Sequence, residues 1–193
     1  MSCVLPELAA NRAVSLPELL TSRECRQARQ LAWLSQHQST LLVLTLVVPG
    51  AIKDSGLTRN IFNLGWQALQ QMGREQGWQC LQSETLALST GCEGFMALQA
   101  DAQRVKDCAI QLEVQQPIGR LWDIDVLDAQ GRILSRRDLG LSERRCLLCN
   151  QPAKLCARQR QHSSEELLQE MERMLNDALA TRWSCQLHAS AGG

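Results

Sequence analysis

The chain has no tyrosine, only two phenylalanines and only three lysines among its 193 residues. Its 20 basic and 20 acidic residues cancel to a formal net charge of zero. Attraction to phosphates needs a net positive charge, and base stacking needs aromatic side chains. Since the chain has no net charge and few aromatic residues, we expect no nucleic-acid binding. The longest apolar run, residues 41–48, is interrupted by Thr45 and is far shorter than the ~20 residues that span a bilayer. We therefore expect no membrane segment.

The remaining composition is that of a globular domain, with 45% hydrophobic and 21% charged residues. Residues 1–20 contain Glu7, Arg12 and Glu18 and no apolar stretch, so we expect no secretory leader. The nine cysteines are an odd number without the spacing of a disulfide framework. These features together predict a cytoplasmic protein.

Hydrophobic periodicity predicts an α+β fold with a mixed or antiparallel sheet and flanking helices. The predicted elements are a helix at about 15–37, a strand at 41–48, a helix at 58–76, strands at 78–89 and 94–100, a helix at 101–114, a strand at 120–127 turning into 133–134, and a last helix from 163. The buried face of the first helix is expected to comprise Leu19, Leu20, Ala28, Leu31 and Leu34. We divide the chain into a catalytic body, 1–140, and a Cys/Arg-rich helical extension, 141–193, that packs on it within one domain.

Two aspartates alternate with apolar residues between Gly119 and Val126. In a strand this spacing places Asp123 and Asp125 on one face and their apolar neighbours on the other. Two carboxylates so close repel each other, and Mg²⁺ would relieve the repulsion while binding substrate phosphates. The same pattern also occurs on the solvated face of an edge strand, so the pair alone leaves that alternative open.

Arginine accounts for 17 of the 20 basic residues, and its planar fork binds phosphates or carboxylates through two hydrogen bonds. Between residues 120 and 160, eight arginines and one lysine outnumber five acidic residues, a local excess of +4. Metal-binding carboxylates beside phosphate-binding arginines are typical of phosphoryl and nucleotidyl transfer. Some of these arginines are expected to pair with surface acids instead.

A strand-to-helix turn at residues 49–55, Pro-Gly-Ala-Ile-Lys-Asp-Ser, is a second candidate site. Backbone amides at the start of the helix, together with Lys53, offer a place for a phosphate. The spacing of a P-loop is absent, and an ordinary connecting loop is an equally good interpretation.

A third candidate is a group of three cysteines and one histidine, Cys146, Cys149, Cys156 and His162. This ligand set matches a closed Cys₃His zinc site, although the gap of six residues is shorter than in standard zinc fingers. A metal would stabilise a stretch with few apolar residues. The alternative is that the reduced cysteines serve as small hydrophobic residues on a helix.

At these motifs the sequence resembles one enzyme family over most of its length, from about Leu5 to Leu179. The matching motifs are residues 49–55, 58–63 (Thr-Arg-Asn-Ile-Phe-Asn), 119–126 (Gly-Arg-Leu-Trp-Asp-Ile-Asp-Val), 135–137 (Ser-Arg-Arg), 144–149 (Arg-Arg-Cys-Leu-Leu-Cys) and 156–158 (Cys-Ala-Arg). They are similar to the apo-citrate lyase phosphoribosyl-dephospho-CoA transferases, also called citrate lyase holo-acyl-carrier-protein synthases. The proline usual in that family at the third position of the 49–55 stretch is Ala51 here.

The resemblance implies a nucleotidyltransferase. Its donor would be 2'-(5''-triphosphoribosyl)-3'-dephospho-CoA, and its acceptor a serine of the citrate lyase acyl carrier protein (gamma chain), with diphosphate released. Asp123 and Asp125 would then hold Mg²⁺, and one of them would take the serine proton. The residues expected to bind the substrates are Lys53, Asp54, Arg59, Arg120, Arg136, Arg137, Arg144, Arg145 and Arg158.

The strand with the two aspartates is also similar to the metal-binding strand of polymerase-β-type nucleotidyltransferases, an analogy at the level of the fold. Those enzymes have a third carboxylate on a neighbouring strand, for which Asp54 and Glu113 are candidates. Two other functions stay open. One is transfer to another carrier, such as that of malonate decarboxylase, and the other is a non-catalytic zinc-stapled module that binds a carrier protein.

Overall fold

The computed structural model describes residues 9–135 and 143–190, with side chains as far as residue 181. Within those ranges the chain forms five α-helices, one 3-10 helix and four strands. In chain order they are α1 (Leu16–His37), β1 (Thr40–Leu46), α2 (Gly56–Glu75), β2 (Gln79–Leu88), β3 (Gly91–Gln99), α3 (Ala102–Gln115), the 3-10 helix (Pro117–Leu121), β4 (Trp122–Leu127), α4 (Ala153–Gln159) and α5 (Ser164–Ser190). No helix in these ranges is both long and apolar enough to cross a bilayer. The junction expected between residues 140 and 141 lies outside the described residues.

The four strands form one antiparallel sheet in the order β2-β3-β1-β4. This confirms the α+β fold and selects the antiparallel form of the sheet. Residues 41–44 of β1 are at most 1% exposed, because β1 lies inside the sheet and both faces are covered there. The register pairs Val43 with Phe95 on one side and with Asp125 on the other. β4, which carries the two aspartates, is an edge strand.

Helices α2, α3 and α5 pack on one face of the sheet and enclose the main core. Its buried residues include Leu42, Leu44, Phe62, Trp66, Val105, Ala109, Ile124, Val126, Met171, Met174 and Leu175. The last three belong to α5, so the C-terminal segment shares its core with the rest of the chain. Burial of this apolar surface is the main force that holds the two parts together.

Helix α1 covers the other face of the sheet, but only in part through the residues that the sequence predicts, since Leu34 is buried as expected. Leu20 and Leu31 are 47% and 60% exposed, whereas Ser22 and Trp33 are buried. Trp33 joins a smaller core with Leu34, Leu41, Val43, Phe95, Ala97 and Leu127. The predicted burial is therefore confirmed for Leu34 and wrong for Leu20, Ala28 and Leu31.

An ion-pair network explains the orientation of α1. Glu93 on β3 is 1% exposed, and it lies 2.9 Å from the Nε of Arg26 and 2.6 Å from an Nη of Arg29. A buried carboxylate must be paired, so both arginines turn toward the sheet, and Leu20 and Leu31 turn away from it.

Two strand boundaries also differ from the prediction. β3 begins at Gly91, whose φ of 115° makes the tight turn, and Glu93 therefore belongs to the strand rather than to the turn. Arg120, expected in a strand, lies in the 3-10 helix. There Gly119 approaches α3 so closely that a β-carbon would lie 2.7 Å from the carbonyl oxygen of Glu113. The short helix α4 is not predicted by the sequence.

Candidate active site

The predicted aspartate pair lies on the α1 side of the sheet. The residues that alternate with Asp123 and Asp125 on β4 pack in the main core, so the two carboxylates point the opposite way. Thr45, the partner of Asp123 on β1, lies on the same side, and so does Glu93 on β3. We call these four residues the carboxylate face. The side chain of Asp123 is 49% exposed and accessible to a ligand.

Burial and the neighbouring Asp123 make the ionised form of Asp125 costly. Burial raises the pKa of Asp125 and the charge of Asp123 raises it further, whereas Lys106, Arg26 and Arg144 act in the opposite direction. A divalent cation would offset both the burial and the repulsion. The pair therefore fits Mg²⁺, which proteins bind through one or two carboxylates together with substrate phosphates.

Lys106 of α3 supports the strand that carries the aspartates. It is buried, and its Nζ donates a 2.8 Å hydrogen bond to the carbonyl oxygen of Ile124, the residue between Asp123 and Asp125. Burial lowers the pKa of Lys106, while the charges of Glu113 and Asp125 raise it. Lys106 thus holds the backbone of β4 at the point from which both carboxylates project.

Arg144 connects Asp123 to Glu113. Its Nη2 lies 2.7 Å from Oε1 of Glu113, and its Nη1 lies 3.4 Å from Oδ1 of Asp123. Glu113 is 4% exposed. This candidate for the third carboxylate is therefore close to the aspartate pair, with one oxygen engaged by the guanidinium of Arg144.

A cleft of about 1330 Å³ lies beyond the end of β1, beside the 3-10 helix. Residues 47–50, the junction between α3 and β4, and much of the segment 143–167 line it. Arg120, Arg144 and Arg145 are among the lining residues, so the structure brings three of the predicted substrate-binding arginines together. Arg144 also lies 3.4 Å from Asp123, although none of the four residues of the carboxylate face lines the cleft.

The predicted metal ligands converge at the wall of this cleft. The ligand atoms of Cys146, Cys149, Cys156 and His162 all lie within 4.8 Å of one another. The Nε2 of His162 is buried and has no hydrogen-bond partner. A buried ring nitrogen without a partner beside three thiols fits a metal ligand. The chemistry of the donor set, three sulfurs and one imidazole, is that of a closed structural zinc site.

Hydrogen bonds connect this cluster to the cleft. Burial opposes ionisation of Cys146, but hydrogen bonds from the backbone amides of Leu148 and Cys149 and from the thiol of Cys156 lower its pKa overall. The Nη2 of Arg120 donates to the carbonyl oxygens of Arg145 and Cys146, at 3.0 and 2.7 Å. The Cys₃His loop therefore positions the guanidinium of Arg120.

The turn at residues 49–55 holds Lys53 at the edge of the site and Asp54 inside the protein. The Nζ of Lys53 donates to the carbonyl oxygen of Val48 at 2.6 Å, and burial followed by the charge of Arg23 lowers its pKa. Asp54 and Arg59 are 1% and 6% exposed and form a two-point ion pair, with N–O distances of 2.6 and 2.8 Å. Asp54, the other candidate for the third carboxylate, is thus enclosed with Arg59.

Of the other predicted residues, Arg158 does not line the cleft. Arg158 is exposed on α4. Arg136 and Arg137 lie outside the described residues.

Sequence reasoning missed Arg26, Arg29 and Lys106, and it placed Glu93 in a turn. One signal was available, because Glu93 is the only charged residue of a nine-residue strand that is otherwise largely apolar. The two arginines carry no such signal, since arginines three positions apart on a helix usually mark an exposed face.

Comparison with known proteins agrees with this geometry. A family profile described as apo-citrate lyase phosphoribosyl-dephospho-CoA transferase matches residues 14–178, which include the aspartate pair, the cleft and the Cys₃His cluster. Proteins of that name from Escherichia coli O7:K1 and from Shigella boydii serotype 18 are each 52% identical to the chain over 174 residues, or 90% of this chain and 95% of the relative. The chain belongs to the apo-citrate lyase phosphoribosyl-dephospho-CoA transferase family.

Proposed function

We propose that this protein transfers the 2'-(5''-triphosphoribosyl)-3'-dephospho-CoA prosthetic group to a serine of the apo-acyl carrier protein (gamma chain) of citrate lyase. The observation that carries the proposal is the position of Arg144, which lines the cleft and lies 3.4 Å from Asp123. It connects a pair of carboxylates suited to Mg²⁺ with a cleft suited to a large phosphorylated ligand. Membership of the family supports the identity of the substrates.

The reaction is a nucleotidyl transfer. The serine oxygen forms a bond to the α-phosphorus of the donor, and the bond from that phosphorus to the oxygen bridging the α- and β-phosphates breaks. Diphosphate leaves with that electron pair, and the serine proton passes to a base. A phosphodiester then joins the prosthetic group to the carrier.

Asp123 and Asp125 lie together and provide the centre for this step. Held by both carboxylates, Mg²⁺ would neutralise the triphosphate and polarise the α-phosphorus. An oxygen of one of the two aspartates takes the serine proton. Lys106 keeps both carboxylates in place through the Ile124 carbonyl.

The cleft takes the dephospho-CoA part of the donor. Its volume, about 1330 Å³, exceeds the ~300–1,000 Å³ of pockets for drug-sized ligands and suits a longer molecule. Arg120 and Arg145 neutralise phosphates there, and their forked donors match phosphate oxygens. Arg158, exposed on α4, is placed to meet the carrier protein, because acidic surfaces attract arginine.

The turn at 49–55 and the pair of arginines after Ser135 complete the donor site. Lys53 supplies a positive charge from the turn, while Asp54 and Arg59 act through the conformation of the turn, which their ion pair holds. On the strength of the family resemblance, Arg136 and Arg137 contact the triphosphate.

The Cys₃His cluster binds Zn²⁺ in a structural role. Four ligands within 4.8 Å of one another leave no open position for a substrate, which distinguishes this cluster from a catalytic zinc site. None of the seven described cysteines forms a disulfide, consistent with action in the reducing cytoplasm.

Intact-mass spectrometry tests the proposal. Apo-acyl carrier protein of citrate lyase is incubated with this enzyme, the triphosphoribosyl donor and Mg²⁺. We expect the carrier to gain the mass of the donor minus diphosphate, and we expect no gain with EDTA or with Asp123→Asn. Asp107→Asn, an exposed aspartate on α3, is the matched control and should retain transfer.

The outcome separates the candidate functions. No mass gain with folded enzyme and authentic donor would overturn the assignment to citrate lyase. A gain on the malonate decarboxylase carrier instead would move the assignment to that substrate. Unchanged transfer by Asp123→Asn would remove the aspartate pair from the mechanism.

A further inference from the structure

The inward face of α1 is polar where it crosses the carboxylate face. Ser22, Arg26, Arg29 and Trp33 follow one another at intervals of three or four residues and therefore form one stripe of the helix. Only Trp33 contributes to the smaller core. The hydroxyl of Ser22 hydrogen-bonds that of Thr90 at 2.8 Å, and the two arginines bind Glu93.

Stability does not explain the arrangement of Arg26, Arg29 and Glu93. A buried arginine–glutamate–arginine triad costs desolvation, and apolar residues of similar volume are often equally or more stabilising in its place. Two guanidiniums on one carboxylate leave a net charge of +1. Both arginine side chains keep some accessible surface, 26% and 31%, whereas Glu93 keeps 1%. The triad therefore presents positive charge outward and hides its only negative charge.

The triad lies across the sheet from the aspartate pair. Thr45 on β1 is paired with Asp123, and the pairing of Leu44 with Gly94 brings Thr45 alongside Glu93. The row from Glu93 to Asp123 thus spans two inter-strand spacings, about 10 Å. Thr45 is the one polar residue in the apolar run at residues 41–48, and it lies in the middle of this row.

We infer that Arg26 and Arg29 bind the triphosphate of the donor on the carboxylate face, opposite Asp123 and Asp125. The α-phosphate lies at the aspartates, and the β- and γ-phosphates extend across Thr45 to the two guanidiniums. Arginine neutralises the charge that develops on a departing diphosphate, as in other phosphoryl-transfer enzymes. Glu93 touches the arginines and not the substrate, so it is a positioning residue that holds both guanidiniums in a fixed orientation.

This inference rests on the proposed function for the identity of the donor, but its test does not. Inorganic triphosphate with Mg²⁺ is titrated into the enzyme by calorimetry, without donor or carrier. We expect binding by the wild type and about tenfold weaker binding by Arg26→Gln and by Arg29→Gln, since a hydrogen bond to a charged group contributes that much or more. Each variant leaves Glu93 paired with one arginine.

Two further variants complete the design. Arg104→Gln, on the exposed start of α3, is the matched control and should bind inorganic triphosphate like the wild type. Arg29→Lys keeps the charge but loses the fork, and it should recover part of the affinity. Under transfer conditions, the KM for the donor should rise in Arg26→Gln and Arg29→Gln while the thermal unfolding temperature stays close to that of the wild type.

The results distinguish the two proposals. Unchanged triphosphate affinity in both folded glutamine variants would overturn the arginine site even if the wild type transfers the prosthetic group. Weakened triphosphate binding in these variants, with no transfer by the wild type, would retain the arginine site and overturn the proposed function. If Arg104→Gln weakens triphosphate binding equally, the loss of affinity comes from the change in overall charge. That result would also overturn the arginine site.

Discussion

The indole of Trp122 occupies the space that a side chain at Gly65 would need. A β-carbon at Gly65 would lie 2.7 Å from Nε1 of Trp122. The same nitrogen donates a hydrogen bond to the carbonyl oxygen of Ile61 at 3.1 Å. Because Trp122 directly precedes Asp123, this contact between α2 and β4 sets the position of Asp123.

Replacing Gly65 with alanine should therefore affect both stability and transfer. The added methyl group must displace the Trp122 ring, and such overpacking costs about 1–3 kcal/mol. Gly73→Ala is the matched control on the same helix, because no atom lies within 4 Å of the position of its β-carbon. Alanine there should stabilise by up to about 1 kcal/mol through helix propensity. Urea denaturation and transfer rates of both variants check this, and a Gly65→Ala variant as stable as Gly73→Ala would contradict the packing.

The ion pair of Asp54 and Arg59 should be the most costly charge contact to break. Asp54→Asn removes the carboxylate that forms a two-point ion pair with the buried Arg59, and breaking a buried ion pair costs about 3–5 kcal/mol. Asp177→Asn removes one partner of an exposed ion pair on α5 and should cost less than about 1 kcal/mol. Chemical denaturation at pH 7 compares the two variants.

The stability difference between the wild type and Asp54→Asn should become smaller as the pH falls. Although burial opposes it, the ion pair with Arg59 lowers the pKa of Asp54 in the folded protein. Its contribution is therefore complete above the unfolded pKa of about 4 and is lost as the pH falls through the lower folded pKa. A difference that grows on acidification would show that Arg59 does not stabilise the Asp54 carboxylate.

Replacing Asp125 should have the opposite effect on stability to replacing Asp54. Its pKa is raised by burial and by Asp123, so the ionised carboxylate destabilises the metal-free protein. This cost appears as the pH rises from about 4, the unfolded pKa, through the raised folded pKa. We expect Asp125→Asn to be more stable than the wild type at pH 7 without metal and equal to it in acid. An apo variant less stable than the wild type at pH 7 would contradict the repulsion.

Magnesium should make the wild type more stable than Asp125→Asn, which reverses their order in the metal-free state. A cation that binds only the folded wild type stabilises it by about 2.7 kcal/mol at a hundred times its dissociation constant. Asp125→Asn should show little of this shift, whereas Asp107→Asn should show all of it. Thermal unfolding with and without Mg²⁺ measures the shift, and an equal shift in Asp125→Asn would place the cation elsewhere.

The Cys₃His cluster should contain one zinc ion per chain. Elemental analysis of purified protein should find it in the wild type and in Cys108→Ser, a half-buried thiol outside the cluster, but not in Cys149→Ser. Loss of the metal should also raise the KM for the donor by about tenfold, because the loop that orients Arg120 loses its anchor. Zinc bound equally by Cys149→Ser would exclude this ligand set.

Much of the local structure was predictable from the sequence. The helices expected at about 15–37 and 101–114 are present, and each begins after a cap, Ser15 or Asp101, whose side chain accepts a hydrogen bond from the first turn. Helix α2 begins at Gly56, two residues before its expected start. Alternation correctly placed Asp123 and Asp125 on one face of their strand. These features depend on residues a few positions apart, and therefore a linear pattern contains them.

Contacts between distant parts of the chain were not predictable in this way. Glu93 is 64 residues from Arg29, and its demand for a counter-charge decides which face of α1 turns inward. Leu20 and Leu31 suggested another face, because periodicity ranks residues by hydropathy and takes no account of a buried carboxylate on a strand far along the chain.

The sequence by itself determined the family, the α+β class, the aspartate pair and the metal-ligand set, since each is expressed in residue types at short spacings. Only the tertiary structure decided that β1 separates β3 from β4, that Arg144 lies between the cleft and Asp123, and that two arginines of α1 pair with Glu93. These depend on strand order and on buried charges that must find partners across the fold. Such pairing is settled by the free energy of the whole packed molecule and not by any segment of it.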